Sequence, residues 1–301
     1  MLYPDIDTTQ KQLQTAYDST SAVTNYAQAT LTVVPKVHNP PSWFLSTVKD
    51  IQAAQEHAGG WMKNTCPAVS VTVPCSVIQF SRSFDAAVSK LLVLLQAIES
   101  QTGQSPTGEQ RQQVDEIFSG LLGGTQQQSQ TVQFLQGQIS DFFRQLTADH
   151  VALSDDLSAV EAMFAEGRKW VQNLQAVIGE DFINSQAMGP CHSIVEIKIE
   201  ITMAIQSSGA DTDLAILVLA EAVLKNLASN QADVTPAIQN ILDLWATLAI
   251  KIESVITDLR KAEGEDYADI LKQIDLMVAR DQWKQAADFA AGLFGNTCTP
   301  E

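Results

Sequence analysis

The chain has few positive charges, and that shortage excludes whole classes of partner. Lys and Arg number 18 against 35 Asp and Glu, which leaves a formal net charge of −17. No basic stripe is available for phosphate contacts, so we expect no nucleic-acid binding. Electrostatic attraction to an anionic membrane surface is disfavoured for the same reason. The acidic excess falls after residue 100 and is typical of a solvated surface.

Long hydrophobic runs are missing as well. No stretch of 18 or more uninterrupted apolar residues occurs, so we expect no transmembrane helix. The segment 1–20 lacks the basic start and the apolar centre of a classical signal peptide. These features predict a soluble protein that, if it is secreted or released, leaves the cell by another route.

Signatures of catalysis and metal binding are absent. The histidines are scattered, and no HExxH, GxSxG, P-loop or dinucleotide motif occurs. Adjacent carboxylates such as Asp155 and Asp156 point in different directions on a helix and are ordinary surface residues. We therefore expect no enzymatic activity, no cofactor and no metal. An enzyme or a carrier of a small ligand remains the weakest alternative.

Only four cysteines are present, and none has CxxC spacing. Cys66 and Cys75 bracket the segment 67–74, which predicts a small disulfide-closed loop between them. Free thiols at both positions are the alternative if the compartment is reducing. Sequence spacing alone does not decide between the two.

The composition that remains indicates an all-α protein. Apolar residues make up 45% of the chain but aromatic residues only 7%, a balance that favours helices packed on helices. We predict an elongated bundle of long amphipathic helices with a small head lobe and at most one short extended segment. It would form a single domain over residues 1–301, with the head lobe at about 150–225.

The sequence predicts where the helices of the first 200 residues begin and end. Gly59 and Gly60 predict a helix end, and Val69, Val71 and Val73 alternate with polar residues in the period-two pattern of an extended segment. Helix should resume at Arg82. From residue 109 to about 178 the apolar spacing predicts one helix of roughly 105 Å, or two helices broken near 148–154. Another helix is expected over 193–207.

The most regular stretch of the chain follows a prolyl residue at position 236, which the sequence places in the first turn of a helix. Its apolar residues repeat in strict steps of three and four, which is a heptad seam that requires a partner seam in the same molecule or in another one. The seam consists of Ile238, Ile241, Trp245, Leu248, Ile252, Val255 and Leu259.

This seam, together with the residues that follow it, resembles a known family. The run Ile238–Leu242 and Trp245, the later seam residues, Ala262, Leu271 and a final helix with Trp283 are similar to the C-terminal helices of the cytolysin A-type α-helical pore-forming toxins. That superfamily includes the Bacillus haemolytic enterotoxin components and related binary and tripartite toxins. The order of short, long and returning helices is similar over about two thirds of the chain.

The resemblance implies a soluble component of a multi-part toxin, which assembles with a second protein on the target-cell membrane and oligomerises there. Such a protein must hide an apolar segment until assembly. The run 214–224 is about half as long as a membrane span, so it inserts shallowly, or a partner chain supplies the span, or the run is simply a core helix. A coiled-coil adaptor without membrane activity is the alternative function. The candidate membrane- or partner-contacting residues are Leu214, Ile216, Leu217, Leu219, Val69, Val71 and Val73.

Overall fold

The fold is all-α, as predicted, with one β-hairpin. The computed structural model describes residues 2–32, 42–101, 105–163, 183–189, 191–197, 212–229, 231–263, 265–295 and 298. In those residues the α-helices are α1 (Ile6–Thr32), α2 (Leu45–Gly60), α3 (Cys66–Glu99), α4 (Gly108–Met163), α5 (Thr212–Ser229), α6 (Gln231–Lys261), α7 (Glu265–Gln273) and α8 (Leu276–Phe294). The strands are β1 (Ile183–Gly189) and β2 (His192–Ile197).

Side-chain caps explain where two of the helices begin. The Thr8 backbone N–H donates to Asp5 Oδ1 over 2.8 Å at the start of α1, which satisfies one of the donors that the first helical turn leaves free. At the start of α4 the pair is reciprocal: Gln110 N–H donates to Thr107 Oγ1, and Thr107 N–H donates to Gln110 Oε1. This capping box fixes the point where the chain enters its longest described helix.

The backbone is helical from Leu45 to Glu99, so the predicted stop at Gly59 and Gly60 is wrong. A π-helical turn, Trp61–Thr65, joins α2 to α3, and the Cys66 N–H donates to Trp61 O in the wider π pattern. A Cβ at Gly59 would lie 4.0 Å from Leu31 Cδ2. A side chain there would make only ordinary van der Waals contact, so Gly59 is an internal helical residue that neither ends the helix nor is required by packing.

The predicted extended segment over Val69–Val73 is also wrong, because these residues lie inside α3. Residues four apart share one helical face, and Val69 and Val73 are both fully buried. Val71 falls on the opposite face and is 44% exposed. The same three valines thus satisfy a helix as well as a strand, and packing of α3 selects the helix over β-propensity.

Helix α4 runs through 148–154 without a break, which confirms the prediction of one long helix across that stretch. Its 56 residues extend roughly 84 Å at 1.5 Å per residue. The predicted continuation from 164 to 178 lies outside the described residues, as does most of the helix predicted over 193–207. Residues 193–197 of that helix are instead in β2.

Strands β1 and β2 pair antiparallel, with Ile183 opposite Ile197 and Ser185 opposite Val195. The register shifts between Ala187 and Gly189, which is a bulge beside the turn. The sequence pattern that predicts β2 is an alternation of charged and apolar residues, which begins with Glu196 and Ile197 and continues in sequence to residue 201. That alternation is typical of a strand, so the helix predicted over 193–207 is wrong for residues 193–197.

The chain forms two compact units, and four helices, α1, α3, α4 and α6, contribute residues to both. Unit one comprises residues 1–16, 70–136 and 236–301, and unit two comprises residues 17–69 and 137–235. The predicted head lobe at 150–225 falls within unit two. Unit two also takes in the second part of α1 and all of α2, which lie far away in sequence.

The heptad seam of α6 is buried inside unit one. Of its seven members only Val255 is half-exposed. Trp245 stacks on Trp283 of α8 with the rings 5.7 Å apart and 8° from parallel, and Phe80 of α3 lies 5.4 Å from Trp245. The partner of the seam is therefore in the same molecule. Helix α6 begins at Gln231, so Pro236 lies within the helix and not in its first turn.

Each unit contains one disulfide, and the predicted Cys66–Cys75 bond is wrong. Cys66 bonds to Cys191 across 125 residues, and Cys75 bonds to Cys298 across 223 residues. Cys66 and Cys75 both lie in α3, where nine residues of rise separate them by about 13.5 Å. A disulfide requires Cα atoms about 4.4–6.8 Å apart, so helix formation itself forbids the local bond.

Candidate functional site

The candidate site is the part of unit two built around α5, the most aliphatic helix of the described chain. Five consecutive residues of α5, from Ile216 to Ala220, are buried, and Val223 is buried as well. Successive helical residues are 100° apart, so five in a row cover every side of the helix. Leu217 has no exposed surface. Helix α5 is thus enclosed on all sides at its centre, unlike an amphipathic surface helix.

The structure places the predicted contact residues in two separate helices. Ile216, Leu217 and Leu219 lie in the enclosed part of α5, and Leu214 lies in its first turn. Val69, Val71 and Val73 lie in α3, and only Val71 presents an exposed side chain. Helix α5 packs against α2.

One acidic side chain interrupts the aliphatic surface of α5. Glu221 is 9% exposed, and its Oε1 lies 3.3 Å from Nε2 of His150 on α4. A buried carboxylate is costly unless it is paired and hydrogen-bonded. His150 supplies that partner, so the pair positions α5 against α4 at one defined point. No local sequence pattern predicts this pair, because 71 residues separate its members.

A second polar contact joins α2 to α4. His57 Nδ1 lies 2.7 Å from Asp149 Oδ2, and the Asp149 side chain is nearly buried. Burial raises the pKa of Asp149, and the hydrogen bond and charge of His57 oppose that rise. The contact thus joins the only histidine of α2 to a poorly hydrated carboxyl of α4.

Asp50 of α2 faces the same side of α4. Its pKa is raised, first by burial and then by the nearby carboxyls of Asp156 and Asp149. Two carboxylates at close range cannot both ionise without cost. The α2–α4 interface therefore contains three carboxyls and one imidazole, which we call the polar seam: Asp50, His57, Asp149 and Asp156.

The disulfide of unit two connects the β-hairpin to the start of α3. Cys191 lies in the turn between β1 and β2, and its Cα is 5.6 Å from that of Cys66. Cys66 Sγ lies 3.2 Å from Thr24 Oγ1, which accepts a hydrogen bond from Trp61 Nε1 over 3.1 Å. The Trp61 ring packs on Phe142 of α4, with ring centres 4.7 Å apart.

None of these groups forms a catalytic or metal-binding constellation in the part of the chain that is described. No cluster of three or more His, Cys, Asp or Glu side chains there could hold a metal ion. The same described residues include no helix long and apolar enough to cross a membrane. What the arrangement offers is an enclosed aliphatic helix, two half-buried histidine–carboxylate contacts and a covalently tethered hairpin.

Comparison with known proteins finds the same fold in solved structures of bacterial proteins. The sequence matches no protein-family model and no curated protein. The structure, however, is similar to that of motility associated killing factor B from Vibrio cholerae, with a TM-score of 0.73 and 14% identity over 100% of this chain and 95% of that one. The likeness extends over the whole length of the chain.

Two further structures show the same fold. The HblL1 toxin component of Bacillus cereus matches with a TM-score of 0.70 and 12% identity over 97% of each chain. Soluble SmhA, of the tripartite α-pore-forming toxin Smh from Serratia marcescens, matches with a TM-score of 0.69 and 12% identity over 100% of this chain and 97% of that one. At these identities the likeness demonstrates a common fold.

Proposed function

We propose that this chain is one component of a multi-component α-helical pore-forming toxin, because it has the fold of such components. It would assemble with a partner protein on target membranes. The observation that carries the proposal is the fold match over 97–100% of the chain at TM-scores near 0.70. A shared fold alone does not fix a function, so the site must support it independently.

The enclosed helix α5 provides that support. A protein that moves from water to a membrane or to an oligomer must bury its apolar contact surface until assembly. Leu217 and Leu219 meet that requirement, because both are buried in unit two. We propose that α5 and the hairpin belong to a head lobe within unit two and that α5 contacts lipid or a partner chain after assembly.

The dimensions of α5 favour a partner. The aliphatic run 214–224 spans about 16 Å as a helix, roughly half of the 30 Å hydrocarbon core of a bilayer. Glu221 lies within that run, and an acidic residue opposes deep insertion. SmhA, which shares the fold, belongs to a tripartite toxin. We propose that this chain likewise acts with at least one other protein, which supplies the membrane span.

The alternative function, a coiled-coil adaptor that dimerises through the α6 seam, loses its main support. The seam is covered within unit one by aromatic residues of α3 and α8. A second chain would have to displace Trp283 to reach it.

Dye release from liposomes tests the proposal. We expect leakage when this chain is combined with the proteins encoded beside it, and rings or tubes in electron micrographs of the lipid fraction. This chain alone should cause much less leakage. No leakage and no lipid-bound assembly under any combination would contradict the proposal.

The role of α5 can be tested separately in the same mixtures. A cysteine introduced as Leu219→Cys should resist a membrane-permeant maleimide in the free chain and react after assembly on liposomes. Lys225→Cys, at an exposed position of α5, should react in both states and serves as the matched control. Continued protection of position 219 during leakage would remove α5 from the proposal while leaving the toxin function intact.

A further inference from the structure

The two disulfides differ in how an external thiol can reach them. In unit two, Cys66 is fully buried but Cys191 is partly exposed. In unit one, both members of the bond are buried, with 8% of Cys75 and 7% of Cys298 exposed. Thiol–disulfide exchange proceeds by attack of a thiolate on one sulfur and depends on access to it. Cys191 is thus the most exposed of the four cysteines, and its sulfur is the one that we expect a thiol in solution to reach.

The buried sulfur of the same bond has a hydrogen-bond donor beside it. A disulfide sulfur carries no proton, so the Thr24 hydroxyl is the group able to donate in its 3.2 Å contact with Cys66 Sγ. Thr24 Oγ1 in turn accepts from the Trp61 indole N–H over 3.1 Å. Donation by Trp61 polarises the hydroxyl and strengthens its donation to sulfur. A negative charge that develops on Cys66 Sγ would therefore be stabilised in place.

We propose that the Cys66–Cys191 bond is a site of thiol exchange, which an external dithiol opens by attack on Cys191 to release the β1–β2 hairpin from the π-helical turn. The attacking thiolate forms a mixed disulfide with Cys191 Sγ as the Cys66–Cys191 bond breaks. The electron pair goes to Cys66 Sγ, which then takes a proton from water. The second thiol of the reagent displaces Cys191 as a thiolate, and the dithiol departs oxidised to a cyclic disulfide.

Opening of this bond has a structural consequence because of what the bond holds. A two-stranded hairpin is marginally stable in water without further packing, and Cys191 lies at its turn. The bond closes a separation of 125 residues, and the constraint that a cross-link imposes on a chain grows with loop length. The bond is thus a covalent link between the hairpin and the rest of unit two.

Site-resolved reduction of the intact protein tests the order of opening. The protein would be exposed to dithiothreitol at neutral pH, quenched with an alkylating reagent at intervals, and each cysteine quantified by mass spectrometry. We expect Cys66–Cys191 to open about tenfold faster than Cys75–Cys298, because one of its sulfurs is accessible. Equal rates, or earlier opening of Cys75–Cys298, would overturn the proposal.

The role of the donor is tested by variants of Thr24. Thr24→Val removes the hydroxyl at nearly constant volume and should slow reduction of Cys66–Cys191 by about fivefold, the equivalent of one ordinary hydrogen bond. Thr24→Ser keeps the hydroxyl and should restore the rate, while Cys75–Cys298 serves as the internal control in every sample. If Thr24→Val fails to fold, Thr24→Ser alone tests the hydroxyl. Reduction of Cys66–Cys191 at the wild-type rate would support its role, and slower reduction would contradict it.

Hydrogen exchange tests release of the hairpin. After selective reduction, amide exchange over 183–197 should accelerate by about tenfold or more, while exchange in α3 of unit one stays unchanged. The variant with Cys75→Ser and Cys298→Ser, which lacks the other disulfide, should keep the protection of the hairpin until dithiothreitol is added. Unchanged hairpin protection after complete opening of Cys66–Cys191 would show that the bond does not hold the hairpin.

Discussion

Among the described residues, two fully buried tryptophans of unit one stack on each other. The fully buried tryptophan of unit two instead donates a hydrogen bond to a threonine. Trp245 and Trp283 lie face to face, and Trp283 Nε1 donates to Leu2 O, which ties the start of the chain to α8. Trp61 instead donates to Thr24 beside a disulfide. Unit one uses its tryptophans to close an apolar seam, and unit two uses its tryptophan to support a polar network.

The ion pairs differ in the same way. In unit one, Arg260 pairs with Asp115 over 2.8 Å on the surface, and both side chains are exposed. Unit two also has an exposed pair, Arg144 with Asp141, but it adds two contacts between a histidine and a nearly buried carboxyl, as in His57 with Asp149. Exposed pairs contribute little to stability, whereas groups within a helix interface alter packing when their protonation changes. We therefore expect the response of the polar seam to pH, and the proposed thiol exchange at Cys66–Cys191, to act on unit two.

The largest effect should follow removal of the stacked ring in unit one. Trp283→Ala removes a fully buried indole and should lower the free energy of unfolding by about 3–5 kcal/mol. Urea denaturation monitored by circular dichroism measures the change. Phe134→Ala, at a residue of α4 that is 71% exposed, is the control and should change stability by less than about 0.5 kcal/mol. A loss below about 1 kcal/mol for Trp283→Ala would mean that the stack does not consolidate unit one.

A smaller loss, confined to unit two, should follow truncation of α5. Leu217→Ala creates a cavity at a residue with no exposed surface and should cost about 2–5 kcal/mol. Hydrogen exchange should locate the loss in α5 and α2 and not in α6. Leu45→Ala, at a half-exposed position of α2, should leave exchange nearly unchanged. Equal acceleration in α6 would show that the two units open together and would break the comparison.

The next prediction concerns pH and the polar seam. The pKa of Asp50 is raised in the folded protein by burial and by Asp156, so its charged form is disfavoured by folding. The folded state therefore gains stability relative to the unfolded state as the pH falls through the raised pKa, and loses it as the pH rises. Asp50→Asn should stabilise the protein at pH 7, and the difference from the wild type should shrink toward pH 4. Thermal melts across this range measure it.

The control for Asp50 is Asp155→Asn, which removes one negative charge from an exposed position of α4 beside the seam. It should not reproduce the pH-dependent difference. If it does, net charge and not the contact with Asp156 accounts for the behaviour of Asp50.

Local periodicity correctly predicted the elements whose apolar spacing fits only one type of secondary structure. The three- and four-residue steps of the α6 seam fit a helix only, and burial of Trp245 and Ile252 followed. The valines of α3 fit two solutions, since residues 69 and 73 share a face in either a strand or a helix. Packing against neighbours decided that case, and packing is not visible in a local window.

Contacts between residues far apart in sequence could not be predicted from the spacing of residues. The bond between Cys66 and Cys191 spans 125 residues, and the nearest cysteine in sequence was the wrong partner because α3 holds the two sulfurs apart. His150 and Glu221 likewise meet only after α4 and α5 pack. The enclosed aliphatic helix could be anticipated from composition, but the polar and covalent contacts that hold it could not.

The smallest effect at neutral pH should come from the buried titratable group of unit one. Burial raises the pKa of Tyr267 to about 12, and Arg111, whose guanidinium lies 4.7 Å from the centre of the ring, opposes the rise only in part. The unfolded chain ionises its tyrosines near pH 10, so the folded state loses stability between about pH 10 and 12. Tyr267→Phe should abolish that component, which absorbance of tyrosinate and alkaline unfolding both measure, and leave pH 7 stability nearly unchanged. Because Tyr267 titrates far above neutrality, it should not change the stability of unit one over the pH range in which Asp50 titrates. Ionisation of Tyr267 near pH 10 would contradict this prediction.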